Sequence, residues 1–117
     1  MMKEGFPRCE LNKIIHEPAR LLILTFLASS PDKESTFTEV RDHLQMSGGN
    51  LSIQLKNLQE AGFIKVGKKF EENKPLTTVT ITAYGVDTLI DYFDEMEKLI
   101  LAVKQEQLKN DITPVEL

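Results

Sequence analysis

Cysteine occurs once, at Cys9, in a chain of 117 residues, which excludes an internal disulfide and any thiolate cluster for zinc or iron–sulfur. Tryptophan is absent, and six Phe and two Tyr are too few for the ring platforms on which single-strand binders stack successive bases. No apolar run approaches the roughly 20 residues that cross a bilayer, so no membrane span is expected. A basic excess is lacking as well. Fourteen Lys and Arg against 18 Asp and Glu leave a net charge of −4, so the chain as a whole is not a polycation that would coat nucleic acid or an anionic membrane. Any such binding must come from a local patch. The opening Met-Met-Lys-Glu-Gly-Phe-Pro-Arg-Cys-Glu has neither the apolar stretch nor the small-residue cleavage site of a secretory signal, and the expected compartment is the cytoplasm. What remains, 41% apolar and 27% charged, is the composition of one small globular domain with a single core.

The charge is unevenly spread. Residues 1–46 sum to −1, 47–82 to +2 and 83–117 to −5, so only the middle third offers a surface to a polyanion. Leu11, Ile14 and Ile15 have helical spacing and end at His16-Glu17-Pro18, which predicts a short helix closing near His16. Pro18 suits the first position of the next helix, apolar almost all round through Leu27 and therefore central to the core. Ser29 to Ser35 reads as an irregular polar loop. Thr36-Phe37-Thr38-Glu39 reads as a capping box, opening a short helix that buries Phe37, Val40 and Leu44. Across the tight connection Gln45-Met46, Ser47 caps a second helix through Leu51, Leu55 and Leu58 to Gly62, so the two form a helix-turn-helix. The apolar period then drops from 3.6 to 2. Ile64 and Val66, then Val79 and Ile81, alternate with polar neighbours around the turn Glu71 to Pro75, which predicts an antiparallel β-hairpin. Thr82 caps a long final helix from Ala83 to about Lys109, and the tail from Asn110 is expected to fray. The fold class is mainly α with one small hairpin, in a single domain over 1–117 whose helix-turn-helix and wing occupy 11–82.

On the helix after Ser47, Leu51, Leu55 and Leu58 form a narrow stripe, which turns Gly48, Gly49, Asn50, Ser52, Ile53, Gln54, Lys56 and Asn57 away from the core. Small residues there let backbone approach DNA closely, amides can pair with adenine edges, and Lys56 supplies a cation. The amides near Ser47 to Asn50 lie at the positive end of the helix dipole, where a phosphate fits. Any surface helix carries polar residues opposite its leucines, so this face alone does not require DNA. Lys65, Lys68, Lys69 and Lys74 place cations along the hairpin, where they would meet phosphates or simply guard a sheet edge.

The order of elements, with Ile15-His16-Glu17-Pro18-Ala19-Arg20-Leu21-Leu22-Ile23-Leu24, the run Gly49 to Ile64 and Thr77-Thr78-Val79-Thr80-Ile81-Thr82-Ala83-Tyr84-Gly85, resembles the small prokaryotic winged-helix transcriptional regulators related to the MarR and ArsR families, over roughly residues 11 to 95. The resemblance implies sequence-specific binding of double-stranded DNA by a homodimer, most readily a repressor blocking polymerase at an inverted repeat. What is sensed, an unidentified small-molecule effector included, stays open. Ile53 departs from the polar or basic side chain usual at its place, and either contacts a thymine methyl or marks weakened binding. The rival is a winged-helix protein-interaction module that does not bind DNA.

The final helix repeats apolar residues at Val86, Leu89, Phe93, Met96, Ile100 and Val103, a stripe too long for a small domain to cover. With Leu11, Ile14 and Ile15 it is the expected dimer interface, and in the resembled families the first and last helices form one. Cys9, His16 and His43 lack ligand spacing, so neither a metal nor another cofactor is expected. His16 and Arg20 are expected to fix the junction between the first helices. No phosphate loop follows a strand and no nucleophile–base pair stands out, so the chain reads as a non-enzyme.

Overall fold

A computed structural model describes residues 6–112. Pro18 opens α1 (Pro18–Ala28), where its fixed φ suits the first turn and its missing N–H is no loss. Glu17 caps the helix, its carboxylate accepting from the amides of Ala19 and Arg20 at 3.2 and 2.9 Å. Ile23, Leu24 and Leu27 are fully buried and make the centre of the core. The helix expected before α1 does not form. Leu11 to His16 make a single turn, because the Asn12 side-chain oxygen accepts from the amides of Ile14 and Ile15 while its carbonyl accepts from His16. A side chain that takes local backbone donors in this way favours a turn, and Pro18 leaves no length in which a helix could recover.

The stretch expected to be an irregular loop also folds differently. Pro31–Lys33 is a 3-10 turn, and Glu34–Thr36 is strand β1, with Ser35 opposite Val79 of a later strand. Ser35 is buried although polar, because its hydroxyl donates to the Glu39 carboxylate at 2.9 Å. That bond leaves half of the capping box. The Thr36 hydroxyl accepts from the Glu39 amide at 3.1 Å and starts α2 (Phe37–Leu44), but the Glu39 carboxylate turns to Ser35 because the Thr36 backbone belongs to the sheet.

Gln45, in the left-handed region at φ 53°, ends α2, and the Ser47 hydroxyl accepts from the Asn50 amide at 3.1 Å to start α3 (Gly48–Glu60). Gly62, at φ +83°, turns the chain out of α3 into β2 (Ile64–Glu71). The hairpin returns as β3 (Lys74–Ile81) through Glu72 and Asn73, both at positive φ, the two-residue turn that matches strand twist. The ladder therefore reaches further than expected, to Glu71 opposite Lys74, and the sheet order is β1-β3-β2.

Thr82 clasps the start of α4 (Ala83–Ile112): its oxygen accepts from the Gly85 amide at 2.9 Å while its hydroxyl donates to the Gly62 carbonyl at 2.8 Å. Thirty residues make α4 about 45 Å long. It continues past Lys109, where fraying was expected; residues 113–117 of that expected tail lie outside the described residues. The near half of α4 closes the core through Leu89 and Tyr92. Among the described residues no helix is long and apolar enough to cross a membrane.

Candidate nucleic-acid interface

Because Leu51, Leu55 and Leu58 are buried, the direction opposite them on α3 is fixed, and at 100° per residue it falls among Gly49, Ile53, Lys56 and Glu60. Ile53 is 60% exposed at the middle of this face, and Asn50, Ser52 and Lys56 are exposed around it. Among the described residues a Cβ built on Gly48 or Gly49 would meet nothing within 4 Å, so no contact with them requires glycine there. The first turn of α3 is thus a bare backbone surface at the positive end of a helix. The Asn50 amide is already taken by Ser47, which narrows the donors left for a phosphate to those before it.

Gln54 and Asn57 are only half exposed, on the flank of α3 rather than its outer face. The Gln54 amide nitrogen donates to the Asn50 side-chain oxygen at 3.3 Å, and its own oxygen is buried with no hydrogen-bond partner among the described residues. Gln54 would have to swing out to touch a base. Asn50 and Ser52 need no such movement.

The hairpin lysines, expected as one set, fall on two faces. Ladder register puts Ile64, Val66, Lys68 and Phe70 on one side of β2, and Lys65, Gly67, Lys69 and Glu71 on the other. The first side adjoins α3: Val66 and Thr77 line a shallow groove with Phe37, Ser52, Leu55, Lys56 and Gln59, and the Gln59 side chain accepts from the Val66 amide at 2.8 Å. Lys68 continues that side. Lys69 lies on the far side, where its ammonium donates to Glu34 at 3.0 Å, and Lys74 stands opposite Glu71 beside the turn. Glu34 was missed in the sequence because β1 is too short to show an alternation. The Lys69 hydrogen bond holds the Glu34 carboxyl below its ordinary value against the opposing effect of partial burial, and the Thr80 hydroxyl at 3.2 Å assists. A carboxyl lowered in the folded state contributes stability above its unfolded pKa and loses it as pH falls through the folded one. Lys69→Ala should accordingly move the Glu34 titration upward, followed by carboxyl NMR, and should weaken DNA binding less than Lys68→Ala. Equal losses from the two variants would mean that the far side of the wing also meets DNA.

The expected partner stripe divides along α4. Ile15 and Leu89 are buried in the chain's own core and offer nothing to a second copy, while Val86, Met96 and Leu11 pack against it as partly buried residues. Ile14 and Phe93 are partly exposed, and Ile100 and Val103 lie on the far half, Val103 at 71% exposure. Ile90, Leu101 and Leu108 are exposed as well, on a neighbouring face of α4. His16 was expected to act with Arg20, but its ring nitrogen pairs with the Tyr92 hydroxyl at 2.8 Å and ties the N-terminal turn to α4, whereas Arg20 pairs with Glu17. His43 bonds the Glu39 carbonyl and lies against the Phe26 ring. The Cys9 thiol donates to the Glu95 carbonyl at 3.2 Å, and partial burial with the Glu95 carboxylate pushes its pKa up, away from the thiolate that metals and electrophiles require.

The arrangement of helix-turn-helix, hairpin and long helix recurs in other proteins. An uncharacterized protein of Methanocaldococcus jannaschii is 30% identical over 87 residues, 74% of this chain and 92% of that one. Among solved structures, a transcriptional regulator homologue from Pyrococcus horikoshii superimposes with a TM-score of 0.70 at 25% identity, over 77% of this chain and 87% of that one. A MarR family transcriptional regulator from Streptomyces coelicolor, solved in complex with DNA, shares the fold at a TM-score of 0.59 and 16% identity, over 86% of this chain and 72% of its own. Residues 19–100 match the winged helix DNA-binding domain, and with its α2–α3 pair, its β2–β3 wing and its helical flanks the chain belongs to that family.

Proposed function

We propose that the chain is a homodimeric transcriptional regulator that places α3 in the major groove of double-stranded DNA and represses by blocking polymerase at an inverted repeat. The observation that carries this reading is the outer face of α3, where Asn50, Ser52, Ile53 and Lys56 are exposed beside the two glycines that open the helix. Asn50 can pair with an adenine edge, Ser52 with several bases, and Ile53 can pack on a thymine methyl, while Lys56 and Lys68 flank the groove between α3 and the wing as phosphate contacts. The acidic α4, with Asp87, Asp91, Asp94, Glu95 and Glu97 in its near half, is repelled by phosphate and keeps to the other side of the domain. Its far apolar half supports pairing with a second copy.

A second reading, a protein-docking module, is favoured by one observation, the exposure of an isoleucine at the centre of α3. Salt separates the two. Binding to duplexes selected from a random pool should weaken steeply as salt rises, with a log–log slope near the number of phosphates neutralised, on the order of −2 to −5 for a dimer with a few lysines per copy. Absence of salt-sensitive binding to any duplex would favour the docking module.

A further inference from the structure

Phe70 is the most exposed large apolar side chain among the described residues, at 78%. It does not sit in a loose loop: it lies in the ladder opposite Pro75, two pairs of strand ends held by the tight Glu72-Asn73 turn. Alternation along β2 gives Phe70 the side that carries Val66 and Lys68, and Val66 borders the groove beside α3, while Phe70 also borders the hollow on the far side with Glu34, Lys69 and Leu76. Strand rise places Lys68 about 7 Å and Phe70 about 13 Å beyond Val66. A helix centred in a major groove about 12 Å wide has a phosphate ridge about 6 Å to its side, and the next minor groove is centred about 17 Å away, half of a ~34 Å turn. From Lys68 at the ridge, the strand step of about 7 Å and the length of a phenyl side chain carry the ring toward the near edge of that minor groove. Of the charges at the wing tip, Lys69 is engaged with Glu34 on the opposite side, Lys74 stands opposite Glu71 on that same far side, and Glu71 and Glu72 would be repelled by phosphate.

We infer that Phe70 is an apolar wedge for the minor groove flanking the α3 site, with Lys68 on the intervening phosphate ridge. This rests on the DNA-binding reading above. An inserted ring unstacks a base step and kinks the duplex, so the wing selects flanks in which a pyrimidine–purine step yields easily, without any hydrogen bond to a base edge.

The test uses the full chain, duplexes selected by it from a random pool, and the variants Phe70→Ala, Phe70→Leu and Lys68→Ala. Circular dichroism checks that each is folded. Phe70→Ala should lose about tenfold or more in affinity at an unchanged salt slope, with a smaller DNA bend in permuted fragments; Phe70→Leu should recover part of both. Lys68→Ala should reduce the slope by about one per copy without removing the bend. Replacing the flanking pyrimidine–purine step by a stiff A-tract should weaken the wild type and leave Phe70→Ala nearly unaffected. Steep, salt-sensitive binding by the wild type with no effect of Phe70→Ala overturns the wedge and leaves the regulator reading standing. A wild type that binds no duplex overturns both. A change in sedimentation on Phe70→Ala would mean that the ring packs against a second copy instead.

Discussion

Replacing Ile100 and Val103 together with aspartate is expected to give a folded monomer that has lost tight DNA binding. In the single chain these two side chains project from the half of α4 beyond the core, 43% and 71% exposed, so the substitutions remove little packing from the monomer. Met96 is a poorer choice, because it packs against the chain's own core and an aspartate there would unsettle the fold as well as the pairing. Across a two-fold seam the same substitutions set carboxylates against each other in a desolvated contact. Sedimentation should show a dimer becoming a monomer at an unchanged circular dichroism spectrum. DNA affinity should fall by about 10²-fold or more, since a monomer engages one half-site and loses the effective concentration that a linked second site provides, while weak salt-sensitive contact persists. A double variant that stays dimeric would move the interface off the far half of α4, and a monomer with undiminished affinity would dismiss the two-half-site model.

The parts of this architecture legible in the sequence are those in which side-chain periodicity and capping agree. Leu51, Leu55 and Leu58 inside α3, Ser47 before it and Gly62 after it state one helix three times over, and the change to alternation at Ile64 announces the wing. Where a single polar side chain decides, pattern fails. Asn12 converts an apolar cluster at helical spacing into one turn by taking two amides, and Ser35 enters a strand because Glu39, four residues on, satisfies its hydroxyl. Neither partnership has a signature in composition or period. The same limit applies at the site. Helical angles separate the leucines from the outward residues of α3, but not Asn50 and Ser52 in the open from Gln54 held on the flank, because the latter depends on one bond to Asn50 and on what covers its oxygen. Alternation in β2 does divide Lys68 from Lys69, and reading it strictly would have put Phe70 on the α3 side from sequence alone.

Gly85→Ala is expected to destabilise the fold by about 3 kcal/mol, a fall in Tm on the order of 10 °C, although Gly85 is helical and alanine is the better helix former. A Cβ at this position would lie 2.3 Å from the Phe63 carbonyl oxygen and 2.8 Å from a side-chain carbon of Ile81. The first obstacle is backbone, and it cannot turn aside as a side chain would. It is also committed: the Phe63 carbonyl accepts from the Thr82 amide at 2.9 Å, and the Thr82 hydroxyl bridges to Gly62, so pushing α4 away from Phe63 breaks the clasp that starts the helix. Gly49→Ala is the matched control, a helical glycine whose Cβ would meet open space, and it should leave Tm unchanged or slightly raised. The effect at Gly85 reaches function through geometry. Gly62 and Phe63 are the junction at which α3 passes into the wing, so the contact that admits no Cβ also bears on the angle between α3 and α4. In a dimer held together through α4, that angle sets the spacing of the two α3 helices against the ~34 Å of a DNA turn. Whatever fraction of Gly85→Ala stays folded at low temperature should therefore bind selected duplexes less tightly than the wild type while keeping its contact with random DNA. Equal thermal stability of the Gly85 and Gly49 variants would show that α4 does not rest on Phe63 as closely as the structure has it.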